Sequence, residues 1–178
     1  MIEPEERVTS EVAFAGTLLR LRVDTVRLPN GEVGRREVVE HPGAVAVLPV
    51  LSSGELVLVR QYRYAVERIL LEVPAGTRQP GESPEQCARR ELLEETGYQA
   101  EALRELARFY VSPGWTNEEL VIYVATGLVA GKAAPTDDER IEIERARPEH
   151  VVELIRQGWI ADAKSLVAVL GYLGLCLR

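Results

Sequence analysis

The chain has 178 residues, enough for about one domain, and its 46% hydrophobic and 28% charged content is that of a globular protein, which excludes wholesale disorder, collagen and a simple coiled coil. With 21 basic against 28 acidic residues the net charge is −7, which disfavours a protein that tracks nucleic-acid phosphates. The longest apolar run, 166–177, is 12 residues and contains Gly171 and Gly174, short of the roughly 20 residues of a membrane span, so neither nucleic acid nor membrane is expected as a partner.

The N-terminal stretch MIEPEERVTS has acids and no apolar centre, so no secretory signal is expected. Strand-like runs at 17–28 and 33–39 flank Pro29-Asn30-Gly31-Glu32, and Asn-Gly between two such runs predicts a hairpin. The pattern repeats at 44–51 and 55–62 around Ser52-Ser53-Gly54, and a shorter strand at 68–73 ends before Pro74. Then the period changes. Ser83-Pro84-Glu85-Gln86 combines an N-cap serine, proline at the first helical position and Gln three residues after the cap, and it predicts a helix from 84 to 96 stopped by Gly97. Strands are expected at 104–111, 120–128 and 140–144, and helices at 148–157 and 161–175. Strands mixed with separated helices indicate an α/β or α+β fold without internal repeats.

The central helix carries the chemistry. At about 100° per residue, Glu91, Glu94 and Glu95 share an arc of about 100°. A solvated acidic face is the ordinary explanation of such a cluster. Here it is strained, because the acids crowd the C-terminal turns, where the helix dipole disfavours negative charge and like charges at i,i+4 repel. A hard divalent cation would supply the missing charge.

In this sequence Gly76, five residues, Glu82, seven residues, Arg90-Glu91-Leu92, one residue, Glu94-Glu95, one residue and Gly97-Tyr98 set nine positions within 23 residues. That pattern resembles the Nudix box. The resemblance implies an α/β/α sandwich with a mixed sheet, and hydrolysis of a nucleoside diphosphate linked to another group. It implies that the Ala75 carbonyl, Glu91 and Glu95 bind a divalent cation, Mg²⁺ or in its place Mn²⁺ or another, with Glu94 also facing the metal and serving catalysis. Gly76, Glu82, Arg90 and Gly97 would be structural within the motif, Glu82 pairing with Arg90. Metals on phosphate oxygens neutralise their charge and acidify water, so an acidic protein can still hold an anionic substrate.

From about Arg36 onward the chain also resembles the ADP-ribose pyrophosphatases of that family. Ser112-Pro113-Gly114-Trp115-Thr116-Asn117-Glu118, with Pro113 sixteen residues after Gly97, is similar to that subfamily's signature, as are Arg36-Glu37-Val38-Val39-Glu40-His41 and Arg60-Gln61-Tyr62-Arg63. Arg36, Glu37, Arg63, Ser112, Gly114 and Glu118 are therefore candidate substrate contacts, against the alternatives of exposed strand-end arginines and an ordinary turn. The acidic loop Thr136-Asp137-Asp138-Glu139 before Arg140-Ile141-Glu142-Ile143 resembles the loop whose Glu activates or orients water, which selects Glu139 as catalytic, with a solvated charge run as the alternative. The resemblance also implies a homodimer whose N-terminal strands cross to the partner. Residues 1–40 are thus expected to form a strand or hairpin extension and 41–178 the Nudix domain.

Other features carry less. Nineteen of the 21 basic residues are arginine, which suits phosphate binding and equally reflects the base composition or growth temperature of the source. Gly127 to Lys132 is one residue short of a P-loop and is followed by Ala133, no Gly-x-Ser-x-Gly elbow exists, and His41 and His150 lack zinc spacing. Trp115 and Trp159 are expected to be packing residues, with stacking platforms as the alternative, and Trp115, beside the Ser-Pro-Gly segment, is placed to touch a ligand. Cys87 and Cys176 are too few for a disulfide framework, which points to a cytoplasmic setting. The expected function is hydrolysis of ADP-ribose to AMP and ribose 5-phosphate, the alternatives being another nucleoside diphosphate sugar or a nucleotide-sensing module without turnover. The complete Glu91, Glu94, Glu95 set argues against the sensor.

Overall fold

The computed structural model describes residues 2–131 and 140–175, and the chain divides into two compact units, one of Met1–Gly43 with Tyr110–Glu119 and one of Ala44–Phe109 with Leu120–Arg178. The smaller unit contains β1 (Glu6–Ala15), β2 (Arg20–Arg27) and β3 (Val33–Glu40), an antiparallel sheet in the order β1-β2-β3. The expected hairpin is β2 and β3. Its four-residue turn closes through the Gly31 N–H to the Leu28 carbonyl at 2.9 Å, and Gly31 takes φ 85°, the left-handed conformation that glycine adopts without strain. Strand β1 was not expected: every residue in it is exposed, so it carries no alternation, and register shifts between Arg7 and Thr9 and between Val12 and Phe14 interrupt its pairing.

The larger unit is built on β4 (Ala44–Pro49), β5 (Leu56–Arg63), β6 (Arg68–Glu72), β7 (Ala75–Thr77), β8 (Tyr98–Tyr110), β9 (Glu119–Ala130) and β10 (Glu142–Ala146), with α1 (Pro84–Thr96), α2 (Pro148–Arg156) and α3 (Ala163–Tyr172). One sheet runs β7-β4-β9-β8 and is mixed, since β4 pairs antiparallel with β7 and parallel with β9; a second runs β10-β5-β6. Strand β4 shows why the layers form. Val45 and Val47 pack with Cys87, Ala88 and Leu92 of α1, while Ala46 and Leu48 pack with Val151 and Leu154 of α2 and with Ala168 and Val169 of α3. Strand β9 divides the same way. Successive side chains point to opposite faces, so a strand covered on both sides is apolar throughout. The result is the expected α/β/α layering.

Helix α1 begins and ends where expected, with Ser83 and Gln86 completing the capping box and Gly97 in the left-handed region with its N–H on the Leu93 carbonyl. Strand β8 begins directly after that cap, six residues earlier than expected, and the three-residue β7 was not foreseen. Among the described residues no helix is long and apolar enough to cross a membrane.

Asp162 caps α3 by accepting from the Ser165 N–H, and the fully buried Ser165 hydroxyl accepts the Val73 N–H at 2.9 Å, just beyond β6. Ser165→Ala leaves that amide without its partner and is expected to destabilise the protein by about 1–3 kcal/mol, read as a lower denaturant midpoint at unchanged m-value. A loss below about 0.5 kcal/mol, the size of an ordinary surface change, would contradict this reading of the contact.

Candidate active site

Helix α1 holds its acids against the backbone of β7. The Gly76 position explains the close approach, since a Cβ there would lie 1.9 Å from Oε1 of Glu91. Only glycine lets that carboxylate rest on the strand. Glu95 is buried and its Oε2 accepts the Ala75 N–H at 3.1 Å. Glu94, three residues from Glu91, is half-buried.

Arg90 joins these acids to the loop before the helix. Its Nε and Nη2 donate to the two oxygens of Glu82 at 2.8 and 2.9 Å, and its Nη1 donates to Glu91 at 2.6 Å and Glu94 at 3.0 Å. The acidic face is therefore not uncompensated, as sequence alone suggested, but partly neutralised from within. The loop is closed further by the Gln79 N–H on Glu82, by Arg78 on the Glu82 carbonyl and by Arg90 on the Thr77 carbonyl. The hydrogen bond from Arg90 holds the Glu82 carboxyl down at about 2, and burial, with Glu82 nearby, pushes the Cys87 thiol up to about 12. Cys87 is an inert core residue.

The donors fit a hard divalent cation in kind: carboxylates on adjacent turns and a strand backbone, all offering oxygen. Among the described residues no three acidic, histidine or cysteine side chains form a ready ligand cluster, because Glu91 and Glu94 turn to Arg90 and Glu95 to the Ala75 amide.

Arg63, at the end of β5, donates through Nε and Nη2 to both oxygens of the buried Glu72 at 2.9 and 2.8 Å. Sequence reasoning missed Glu72. The signal was an acid closing the apolar run Ile69-Leu70-Leu71, where a charge needs a partner.

In the smaller unit a cavity of about 770 Å³ is lined by Arg36, Glu37, Tyr110, Gly114, Trp115 and Asn117, among others. It brings together three of the candidate substrate contacts, Arg36, Glu37 and Gly114. Arg36 is held by Glu5, its Nε donating at 2.9 Å. Ser112 and Glu118 do not line the cavity: the Ser112 carbonyl closes the turn by accepting the N–H groups of Trp115 and Thr116, and Glu118 lies 3.8 Å from His41 Nδ1. Trp115 takes the second of its two expected roles and not the packing one, since its turn holds the backbone and leaves the residue 56% exposed at the cavity. Trp159 is likewise exposed, with the Arg60 guanidinium 5.7 Å from its ring centroid. Glu139 lies outside the described residues, as do Asp137 and Asp138.

The Glu82 ion pair has a definite pH signature. Its folded-state pKa of about 2 lies below the unfolded value of about 4.3, so its stabilisation is complete above the latter and is lost as pH falls towards the former. Glu82→Gln is expected to melt below the wild type at pH 7, with the difference closing between about pH 4.3 and pH 2. A gap that stays constant over that window would contradict the assignment.

Residues 40–168 match the NUDIX domain and residues 5–39 the nucleoside diphosphate sugar hydrolase N-terminal domain. The chain is 40% identical over 167 residues to a protein of Bacillus subtilis (strain 168) named ADP-ribose pyrophosphatase, with 93% of this chain and 90% of that protein covered. Over the same length and coverage it is 39% identical to a Bacillus methanolicus protein named methanol dehydrogenase activator. A crystal structure described as an ADP compounds hydrolase has the same fold, with TM-score 0.87 at 23% identity and coverage of 98% of this chain and 95% of that one. With the domain match spanning the Ala75–Gly97 segment that gathers the carboxylates of α1, the chain belongs to the Nudix family.

Proposed function

We propose that the protein hydrolyses the pyrophosphate bond of ADP-ribose, giving AMP and ribose 5-phosphate, with Mg²⁺ or another divalent cation. The observation that carries this reading is the seating of Glu91 on Gly76 and of Glu95 on the Ala75 amide, which sets carboxylates of adjacent helical turns against one strand backbone. Relatives named for ADP-ribose hydrolysis support the substrate. Glu91, Glu95 and the Ala75 carbonyl, with Glu94, would hold the cation, which supplies positive charge to the diphosphate oxygens and promotes ionisation of the attacking water. Arg90 ties the helix acids Glu91 and Glu94 to the loop acid Glu82 and so keeps the loop before α1 against the helix. Arg63 offers its guanidinium to the diphosphate. In the homodimer Arg36 would stand near the partner subunit's site; within the smaller unit its guanidinium, Glu37 and the exposed Trp115 line one cavity, where they offer polar contacts and a face on which a base can stack. Glu139 takes the proton of the attacking water or orients it.

The same reading includes a homodimer formed through residues 1–40, for which the uncovered outer strand β1 offers an edge. Light scattering is expected to give twice the chain mass, and a fully active monomer would remove this part. A cytoplasmic setting accords with the free, buried Cys87.

The test is turnover of ADP-ribose, ADP-glucose, GDP-mannose, NADH and dinucleoside polyphosphates with Mg²⁺ and with EDTA. ADP-ribose is expected to be the preferred substrate and EDTA to abolish activity. Glu91→Gln and Glu95→Gln should each lower the rate by orders of magnitude with little change in melting temperature, since glutamine keeps a carbonyl oxygen to accept the Arg90 or Ala75 N–H while a crowded charge is removed. Glu139→Gln should lower kcat by about 10² to 10⁴ with a modest effect on KM, as for loss of a general base. Near-normal rates in the helix variants at saturating Mg²⁺ would sink the metal assignment, and a crippled Glu142→Gln or Asp138→Asn beside an active Glu139→Gln would move the base.

A further inference from the structure

Glu72 closes β6 with a side chain 1% exposed, and a carboxylate that deep stays charged only where cations offset the lost hydration. Two of them do. Arg63 makes the bidentate fork described above, and Lys164 on the first turn of α3 donates to the same Oε2 and, at 2.7 Å, to Asp162. Burial pushes the Glu72 carboxyl towards its neutral form, but the hydrogen bonds from Arg63 and the charge of Lys164 outweigh it and hold the group below the ordinary carboxylate range.

A buried ion cluster of this kind is a poor source of stability, because apolar residues of similar volume serve as well or better. Its geometry has another use. The Arg63 side chain is 40% exposed, so water could solvate it without Glu72. The fork occupies Nε and one N–H of Nη2 and locks the guanidinium plane, so that Nη1 lies on the edge turned away from Glu72. The backbone reaches an acid of α1 three residues beyond Glu72: Val73 donates to Ser165 of α3, and Ala75 donates to Glu95 of α1. Glu95 is also among the charges that favour the protonated Arg63, after Glu72, in keeping with this connection.

We propose that Glu72, braced by Lys164, is a positioning residue that aims the far edge of the Arg63 guanidinium at an anionic oxygen of the substrate's diphosphate. The proposal rests on the reading of the protein as a nucleoside diphosphate sugar pyrophosphatase. It assigns a binding role to Glu72 and Lys164, neither of which faces substrate.

A double-mutant cycle on the full-length protein with Mg²⁺ and ADP-ribose tests it, using Arg63→Ala, Glu72→Gln and the pair. Arg63→Ala is expected to raise KM about tenfold or more, and Glu72→Gln to raise it about tenfold with kcat altered less than about threefold, the pattern of a contact present equally in ground and transition states. In the Arg63→Ala background Glu72→Gln should add nothing. Equilibrium affinity for the α,β-methylene analogue of ADP-ribose should fall in parallel. Should Glu72→Gln fail to fold, Glu72→Asp keeps the charge but retracts the carboxylate by one methylene, and an intermediate KM is expected. An unchanged KM in a folded Glu72 variant, the same KM increase with and without Arg63, or an unchanged KM in Arg63→Ala would each overturn the proposal. A wild type that leaves ADP-ribose intact would overturn the functional reading instead, and the same cycle, run on whichever nucleoside diphosphate sugar is hydrolysed, should give the same coupling.

Discussion

The Arg90 guanidinium bonds four carboxylate oxygens from three glutamates, two of Glu82 and one each of Glu91 and Glu94. Around it the requirements of folding and of chemistry meet. Acids crowded into the C-terminal turns of a helix destabilise it through mutual repulsion and the dipole, and no basic residue stands in the last turn of α1 to relieve them. Arg90 supplies the relief from the side. Because the same side chain grips Glu82 and the Thr77 carbonyl, the loop between β7 and α1 is tied to the acids it precedes. Lysine would not serve, since a point charge cannot make the two parallel bonds to Glu82 and reach two further carboxylates in one plane.

Burial of β4 on both faces gives that arrangement a rigid floor. Its residues from Val45 to Leu48 are fully inaccessible, so any shift along the strand would move apolar side chains out of one core and into the other. Strand β7 is only three residues long, yet its register is set by pairing with β4, Ala46 opposite Ala75 and Val45 opposite Gly76. The glycine on which Glu91 rests is thereby held in place by a strand whose residues from Val45 to Pro49 are all buried.

Charge is handled differently on either side of this floor. Glu91 and Glu94 of α1 share the partly exposed Arg90, whereas Glu72 is buried and held by two cations, one of which belongs to the N-terminal turn of α3. Partial neutralisation leaves carboxylate oxygens that a divalent cation can still claim, while full neutralisation fixes a side chain permanently. The first suits a metal site, the second a support.

Much of this was legible in the linear sequence, because the deciding interactions are local. The capping box, the Gly97 stop and the shared face of Glu91, Glu94 and Glu95 depend on residues within a few positions of one another, and helix geometry alone brings them together. The apolar runs of β4, β5 and β9 are local in the same sense and marked the strands, while the layering around them was expected from the family resemblance alone. Tertiary structure alone decided what depends on distant partners: β1, which has no burial pattern of its own and exists by pairing with β2; β7, too short to carry a period; and Glu72, whose charge is sustained by Lys164, 92 residues away. It also decided that Trp115 opens onto a cavity instead of packing in a core, since exposure follows from what the rest of the chain leaves uncovered and no spacing within the sequence encodes that.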